Sequence, residues 1–373
     1  MISFMTGFSG SLFKSLLRKL FKKIQIFKNK LLPKLFLIEY AVKKGYLQKT
    51  LNPHPFLQKK IAFKLQDEGY CFNPSLYLGS KGMVLVYRYV GSDKVRKLKF
   101  SLLSYDKFEV IVEKKTAIGL YENGAKLDWC ADPRFFLFRG RLYLTYNTGH
   151  SEVPNEIYIQ EVNENLVPKS NPIKLIKKDG RRSIEKNWGF FEYNNDLFAV
   201  YSISPFVVLK VEMDRSKNIA NAYEYSKFIW DSNYIEEKFG ELRGGASPIK
   251  IGGEFYYITQ SHVKSLSGDI YTGSMISFTS VPPFRPVKVA CKPLFKLSVD
   301  EYRMQPKNKL NGRVEACFYP CGAAYQKDSH SLFISYGIND CYSGMRIYRF
   351  SNLVAMLENV KGLDQIGLGF NYA

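Results

Sequence analysis

FRGRLYLTYN, Phe138 to Asn147, sets a Gly-bearing turn ahead of a run of β-branched and aromatic residues that closes beside a tyrosine. Four other stretches repeat the pattern: GSKGMVLVYR (Gly79 to Arg88), YNNDLFAVYS (Tyr193 to Ser202), IGGEFYYITQ (Ile251 to Gln260) and KDSHSLFISYG (Lys327 to Gly337). With Val84, Leu142, Leu197, Phe255 and Leu332 as equivalent points, the intervals are 58, 55, 58 and 77 residues. Each interval is long enough for a four-stranded antiparallel blade and its loops, and repetition at such a period means repeated architecture. The spacing predicts an all-β fold, a five-bladed β-propeller.

Roughly 10 to 14 residues ahead of each copy a polar motif interrupts apolar sequence. In order these are FNPS (Phe72 to Ser75), ADPR (Ala131 to Arg134), EKNW (Glu185 to Trp188), LRGGASP (Leu242 to Pro248) and FYPCG (Phe318 to Gly322). The innermost strands of a propeller start at its central channel, so equivalent positions of successive blades converge on one space. For any single motif, strand capping by Asn, Asp or Gly-Pro is an equal reading. Five in the same phase, carrying Asp132, Arg134, Lys186 and Arg243, point to a site.

The 373 residues, 46% hydrophobic and 15% aromatic, supply ample core for one large domain. Six scattered cysteines with no cleavable signal peptide ahead of them suggest free thiols in a reducing cytosol. Cys317 and Cys321 lack a second Cys/His pair at zinc-finger spacing, so they read as structural thiols, and no metal or other cofactor is expected. The net charge of +20 calls for an acidic partner. Eight of the basic residues (Lys14, Arg18, Lys19, Lys22, Lys23, Lys28, Lys30 and Lys34) fall between Ser11 and Ile38, a stretch without one acidic residue.

In that stretch Phe13, Leu16, Leu17, Leu20, Ile24, Phe27 and Leu31 recur at helical spacing until Pro33. Residues 1–48 therefore read as a basic amphipathic helical extension and 49–373 as the propeller. The helix is too charged to span a bilayer but suits the surface of an anionic one, each basic residue contributing roughly 1 kcal/mol there. Packing of its apolar face on the propeller is the alternative. A cytoplasmic protein, peripheral at the membrane, is expected. No helix-turn-helix, zinc-finger, RRM or OB signature is present, which argues against a nucleic-acid partner.

Asp132 opens Asp-Pro-Arg where a strand should enter the channel, with Trp129 before it and the run Phe135 to Phe138 behind it. Apolar surroundings favour the neutral carboxyl of a general acid, whereas Arg134 favours the carboxylate. Arg88, Arg134, Lys186 and Arg243 supply cations from four blades, a ring suited to phosphate or pyrophosphate oxygens. His262, in TQSHV, adds a candidate donor at the same rim, although a lone histidine is more often structural.

ADPR with FRGRLYLTYN, EKNW with YSISP, RGGASPIKIGGEFYYITQSHV, and FYPCGAAYQKDSHSLFISYGINDCYSG together resemble the five-bladed propeller family of β-mannoside (1,2-β-oligomannan) phosphorylases and related β-1,2-mannosyltransferases. The resemblance spans roughly Phe72 to Tyr342 and rests on the order and spacing of four motifs. It implies that Asp132 is the proton donor of glycosyl transfer and that Arg88, Arg134, Lys186 and His262 hold phosphate. It also implies that Gly244 to Pro248, with Ser247, and Tyr336, Gly337 and Asp340 line the sugar pocket. Asn73, Asn187 and Arg243 complete the candidate substrate- or phosphate-binding set. The chain departs from the family at three places: Ala131 replaces a Glu, Ser261-His262-Val263 replaces Tyr-His-Gly, and Tyr201 to Pro205 lacks a histidine. Two of these lie where the phosphorylases bind inorganic phosphate.

The leading expectation is a glycosyltransferase that moves a hexose, mannose or a relative, from a phosphate-activated or nucleotide diphosphate donor to a glycan or lipid-linked acceptor. The chain has neither the alternating strand and helix pattern of nucleotide-binding transferase folds nor an Asp-x-Asp motif, so a metal-independent mechanism is predicted. A β-mannoside phosphorylase releasing sugar 1-phosphate is the second reading. A non-catalytic glycan-binding propeller is the third.

Overall fold

The computed structural model describes Lys23 and residues 56–63, 65, 69–116, 118–149, 153–264, 268–306 and 309–368. Apart from Lys23, the amphipathic extension proposed for 1–48 lies outside the described residues. What is described is almost wholly β, with three short helices at Asn233–Phe239, Val299–Arg303 and Phe350–Val354. None is long and apolar enough to cross a membrane.

The strands follow one another as antiparallel meanders. The first runs Tyr70–Leu78, Met83–Val90, Arg96–Leu103, Val110–Lys115, and the second Ala131–Phe138, Arg141–Asn147, Ile157–Val162, Ile173–Lys177. The third runs Gly189–Tyr193, Asp196–Ser202, Phe206–Asp214, Ile219–Ile229. In the fourth, Glu241–Gly244 and Ile249–Ile251 share one edge of Glu254–Lys264, followed by Asp269–Thr279 and Pro286–Val289. The fifth, Val314–Gln326, Ser331–Ile338 and Tyr342–Arg349, takes its last strand, Leu57–Ala62, from the other end of the described chain.

Each of the five repeated stretches is the second strand of its meander. The turns ahead of two of them are two-residue loops with both residues left-handed, Arg139 and Gly140 at φ 51° and 66° and Asn194 and Asn195 at 48° and 61°. Such loops match the twist of the strands they join, which explains the Gly and Asn of the motif. The apolar run is nearly continuous because both faces of these strands are covered. Val84 and Val86 pack toward the second meander and Met83, Leu85 and Tyr87 toward the fifth. Leu197 and Ala199 meet the second meander while Phe198 and Val200 meet the fourth. Tyr256 and Ile258 then meet the fifth, and Phe333, Met345 and Ile347 return to the first. Between the third and fourth, Phe191 lies 4.7 Å from Phe255 and 5.0 Å from Phe284, aromatic pairs that add to the area buried.

The first strands of the first, second, third and fifth meanders touch one another, and that of the fourth meets Asp196–Ser202 of the third. Phe135 N donates to Ser75 Oγ at 3.1 Å, and Ser335 Oγ donates to Pro74 O at 2.6 Å. A Cβ on Gly322 would meet Leu76 N at 2.5 Å. The segments bearing the five polar motifs are thereby drawn together.

Candidate active site

In the first meander Phe72 pairs with Arg88 and Ser75 with Val86, so Asn73 and Pro74 share one opposing residue. In the second, Ala131 pairs with Asn147 and Arg134 with Thr145, so Asp132 and Pro133 repeat that bulge. Proline fits such a position because its missing N–H interrupts no ladder bond. Asn73, Asp132 and Asn187 stand at φ 53°, 50° and 66°, a left-handed conformation that Asn and Asp tolerate best among residues with a Cβ. The bulges re-aim the side chains toward one point.

Asp132, 5% exposed, accepts at Oδ1 from Asn73 Nδ2 at 2.8 Å and from a terminal nitrogen of Arg88. Burial favours its neutral form, but Arg88, Arg134, the Asn73 hydrogen bond and Lys186 together hold it down at about 2. The competition left open by sequence is decided for the carboxylate, so Asp132 is ionised at neutral pH. Arg88 is itself anchored on the Phe72 ring, 4.7 Å from its centroid, and its buried Nε has no hydrogen-bond partner among the described residues. The half-buried Asp340 goes the other way: burial lifts its carboxyl above the ordinary range, with the charge of Asp132 adding to the effect and Arg88 opposing it. Asn311 Nδ2 donates to its Oδ2 at 3.4 Å.

Arg134 aside, three cations act on this neighbourhood. Besides Arg88 there is half-buried Lys186, whose ammonium is pushed below its ordinary range by burial and by Arg243 and Arg88 and supported by Asp132. Lys186 makes no hydrogen bond or ion pair with a described residue. Arg243 pairs with Glu241, Nε at 3.0 Å from Oε2. His262 stacks on Tyr271 at 4.5 Å, and its Nε2 stands 3.4 Å from Asp269 Oδ1 at ion-pair distance without hydrogen-bond geometry. Burial and Arg243 keep its imidazole below the ordinary value, so it is a neutral donor at pH 7.

Arg134 has a different task. Its Nε donates to Gly245 O, one terminal nitrogen to Asp132 O at 3.0 Å and the other to Asn187 Oδ1 at 2.8 Å. At 3% exposure it is a strut tying the second, third and fourth meanders, where a phosphate ligand was expected. Asn187 is likewise spent on structure, its Oδ1 also accepting from Tyr319 Oη at 2.8 Å.

Tyr336, expected in the sugar pocket, is in the core: it is fully buried, stacks on Phe318 at 4.0 Å, donates to Glu301 and accepts from Arg346 Nε at 3.1 Å. A ring so enclosed cannot touch a sugar. Gly337, beside it, is close-packed, since a Cβ there would fall 2.0 Å from Asn73 Oδ1. Gly244 is glycine for the same reason, its Cβ position being 2.0 Å from Asn187 O.

Asn73, Arg88, Asp132, Lys186 and Asp340 are thus brought together, with Arg243 and His262 at one side. Ser247 adds a buried hydroxyl without a partner among the described residues, and Gln260 Oε1, Asn147 Oδ1 and Asn73 Oδ1 are orphaned in the same way. Buried polar atoms are normally satisfied, so such a group marks where water or ligand completes the bonding. Tyr319, Gln260 and Asn147 were not singled out in the sequence; Tyr319 sits inside FYPCG, and the other two close repeats already recognised. Among the described residues no group of three or more His, Cys, Asp or Glu could hold a metal ion.

No family model matches the chain, and no curated protein does. Solved structures share its fold. A glycosyl hydrolase from Bacteroides ovatus aligns at 15% identity and TM-score 0.53, covering 80% of this chain and 92% of its own. A β-1,2-mannobiose phosphorylase from Listeria innocua, solved with β-1,2-mannobiose, aligns at 13% identity and TM-score 0.50, covering 79% of this chain and 94% of its own. One of these neighbours is thus a glycosyl hydrolase and the other a phosphorylase of a mannobiose, both acting on carbohydrate.

Proposed function

We propose that the five meanders are the blades of a closed propeller, and that its channel transfers a hexose from a phosphate-activated donor to a glycan or lipid-linked acceptor. The observation that carries this reading is the Asp132 carboxylate, clamped by Arg88 and Asn73, with Lys186 in the same neighbourhood making no ion pair with a described residue. A carboxylate is the form in which the synthetic direction starts. Asp132 takes the proton of the acceptor hydroxyl, directly or through a sugar hydroxyl, as the acceptor oxygen bonds to the anomeric carbon. The bond from that carbon to the donor phosphate breaks, and the oxygen keeps the electron pair. Lys186, Arg243 and Arg88 offset the charge that develops on the departing phosphate. Mannose is the sugar that the motif resemblance favours.

Phosphorolysis runs the same steps backwards, so a β-mannoside phosphorylase is the second reading, supported by the same cations and by the fold shared with the mannobiose phosphorylase. The test incubates the full chain with radiolabelled mannose 1-phosphate or sugar nucleotides and oligomannoside acceptors, then with oligomannosides and inorganic phosphate. Chain extension that exceeds phosphate-dependent release supports transfer. Sugar 1-phosphate release with no extension from any donor would establish the phosphorylase instead. Binding of oligomannosides without turnover in either direction would leave a glycan-binding propeller.

A further inference from the structure

A cavity of about 440 Å³ opens beside the first meander. One wall is the hairpin around Gly91 and the strand Arg96–Lys99; the other is the segment from Thr116 to Cys130, which ends two residues before Asp132. Its size falls within the range of small-ligand sites.

The lining divides by chemistry. Leu98 and Ile118, both buried, supply an apolar floor. Four basic residues, Arg96, Lys97, Lys99 and Lys126, stand against two acidic ones, Asp93 and Asp128. Lys97 is paired with Asp93, and Lys99 lies over the Tyr89 ring, 4.0 Å from its centroid. Arg96 and Lys126 have no salt-bridge partner among the described residues. Arg96 also links the cavity to the catalytic centre. It is half-buried, donates from Nη1 to Gly149 O of the second meander at 3.1 Å, and feels the charges of Arg88 and Asp132.

We propose that this cavity binds the nucleoside diphosphate of the sugar donor, a reading that rests on the transferase function above. The diphosphate lies against Arg96 and Lys126, and the base covers the Leu98 and Ile118 floor. The hexose then points past Arg96 toward Asp132. Inorganic phosphate or a sugar 1-phosphate needs no such room and is served by Arg88, Lys186 and Arg243.

Calorimetry on the full chain tests this with GDP, UDP, inorganic pyrophosphate, inorganic phosphate and mannose 1-phosphate, for the wild type, Lys126→Glu and Lys94→Glu. Lys126 and Lys94 are both exposed, so both variants should fold, and Lys94 is outside the cavity. The expected result is that one nucleoside diphosphate binds more tightly than pyrophosphate and that Lys126→Glu weakens it by about tenfold. Phosphate and mannose 1-phosphate binding should stay unchanged in that variant, and Lys94→Glu should match the wild type throughout. The proposal is overturned if neither nucleoside diphosphate binds, or if Lys126→Glu and Lys94→Glu lower binding equally. Sugar transfer from mannose 1-phosphate alone, unaltered by Lys126→Glu, would overturn the cavity while leaving the transferase intact. Nucleoside diphosphate binding that depends on Lys126 without any sugar transfer would do the reverse.

Discussion

Asp132 and Asp340 show how one site divides two like side chains. Both are drawn out of water, yet Asp132 accepts hydrogen bonds from Arg88 and Asn73 while Asp340, among the described residues, has a single long one from Asn311. Replacing Asp132 with Asn leaves the shape and removes the charge. Transfer should fall by roughly a hundredfold or more, the scale of a lost general base. Arg88 would then be buried without its counter-ion, which costs about 3–5 kcal/mol, so a lower melting temperature should accompany the loss. The pH dependence has a definite sign. A carboxyl held at about 2 in the folded protein and 3.8 when unfolded stabilises the fold above pH 4, and that stability is lost as pH falls toward 2. Urea titrations at pH 6 and pH 2.5 should therefore show a smaller gap between wild type and Asp132→Asn at the acid pH. An equal gap at both would show that the Asp132 carboxylate is not held by its neighbours.

At the scale of the strand, the repeated second strands were readable because both of their faces are buried and their turns demand Gly or Asn. A run such as LFAVY carries that information locally. The convergence of the polar motifs was readable from their common phase and accounts for Asn73, Asp132 and Lys186, whereas Arg88 and Asp340 reach the same place from the ends of the first and fifth repeated strands. What each residue does there was not readable, because it depends on partners from other meanders. Arg134 and Arg88 look alike in sequence, yet one is a strut to Gly245 and Asn187 and the other the counter-ion of Asp132. Tyr336 and Tyr319 are similarly indistinguishable until the bulge between Pro320 and Gly322 sets the register of their strands. Close approach is legible only in three dimensions, and it makes Gly337 a sensitive position. In Gly337→Ala the new methyl must push Asn73 away, and with it the hydrogen bond that orients Asp132. A displacement of this size should lower kcat by about a hundredfold. Retention of the wild-type kcat by a folded Gly337→Ala protein would show that Asn73 does not position the carboxylate.

At the scale of the molecule, the net charge of +20 exceeds what the site can use. Eight basic residues between Ser11 and Ile38 have no acidic neighbour in that stretch and flank an apolar stripe at helical spacing. An acceptor carried on a lipid would be reached only by an enzyme held at the surface that presents it, so such a stripe would complement the proposed transfer. Basic residues act together at an anionic surface, each worth roughly 1 kcal/mol, and the apolar stripe adds burial among the acyl chains. Cosedimentation with vesicles of mixed neutral and anionic lipid should then retain the full chain at low salt. Removing Met1 to Pro33 should release it, while its circular dichroism and its activity on a soluble acceptor stay as they were. High salt should weaken the retention without abolishing it, because the apolar contribution is not screened. If the shortened chain stays on the vesicles, the remaining basic surface is sufficient for binding. If it unfolds, the stripe packs on the strands and serves the fold instead.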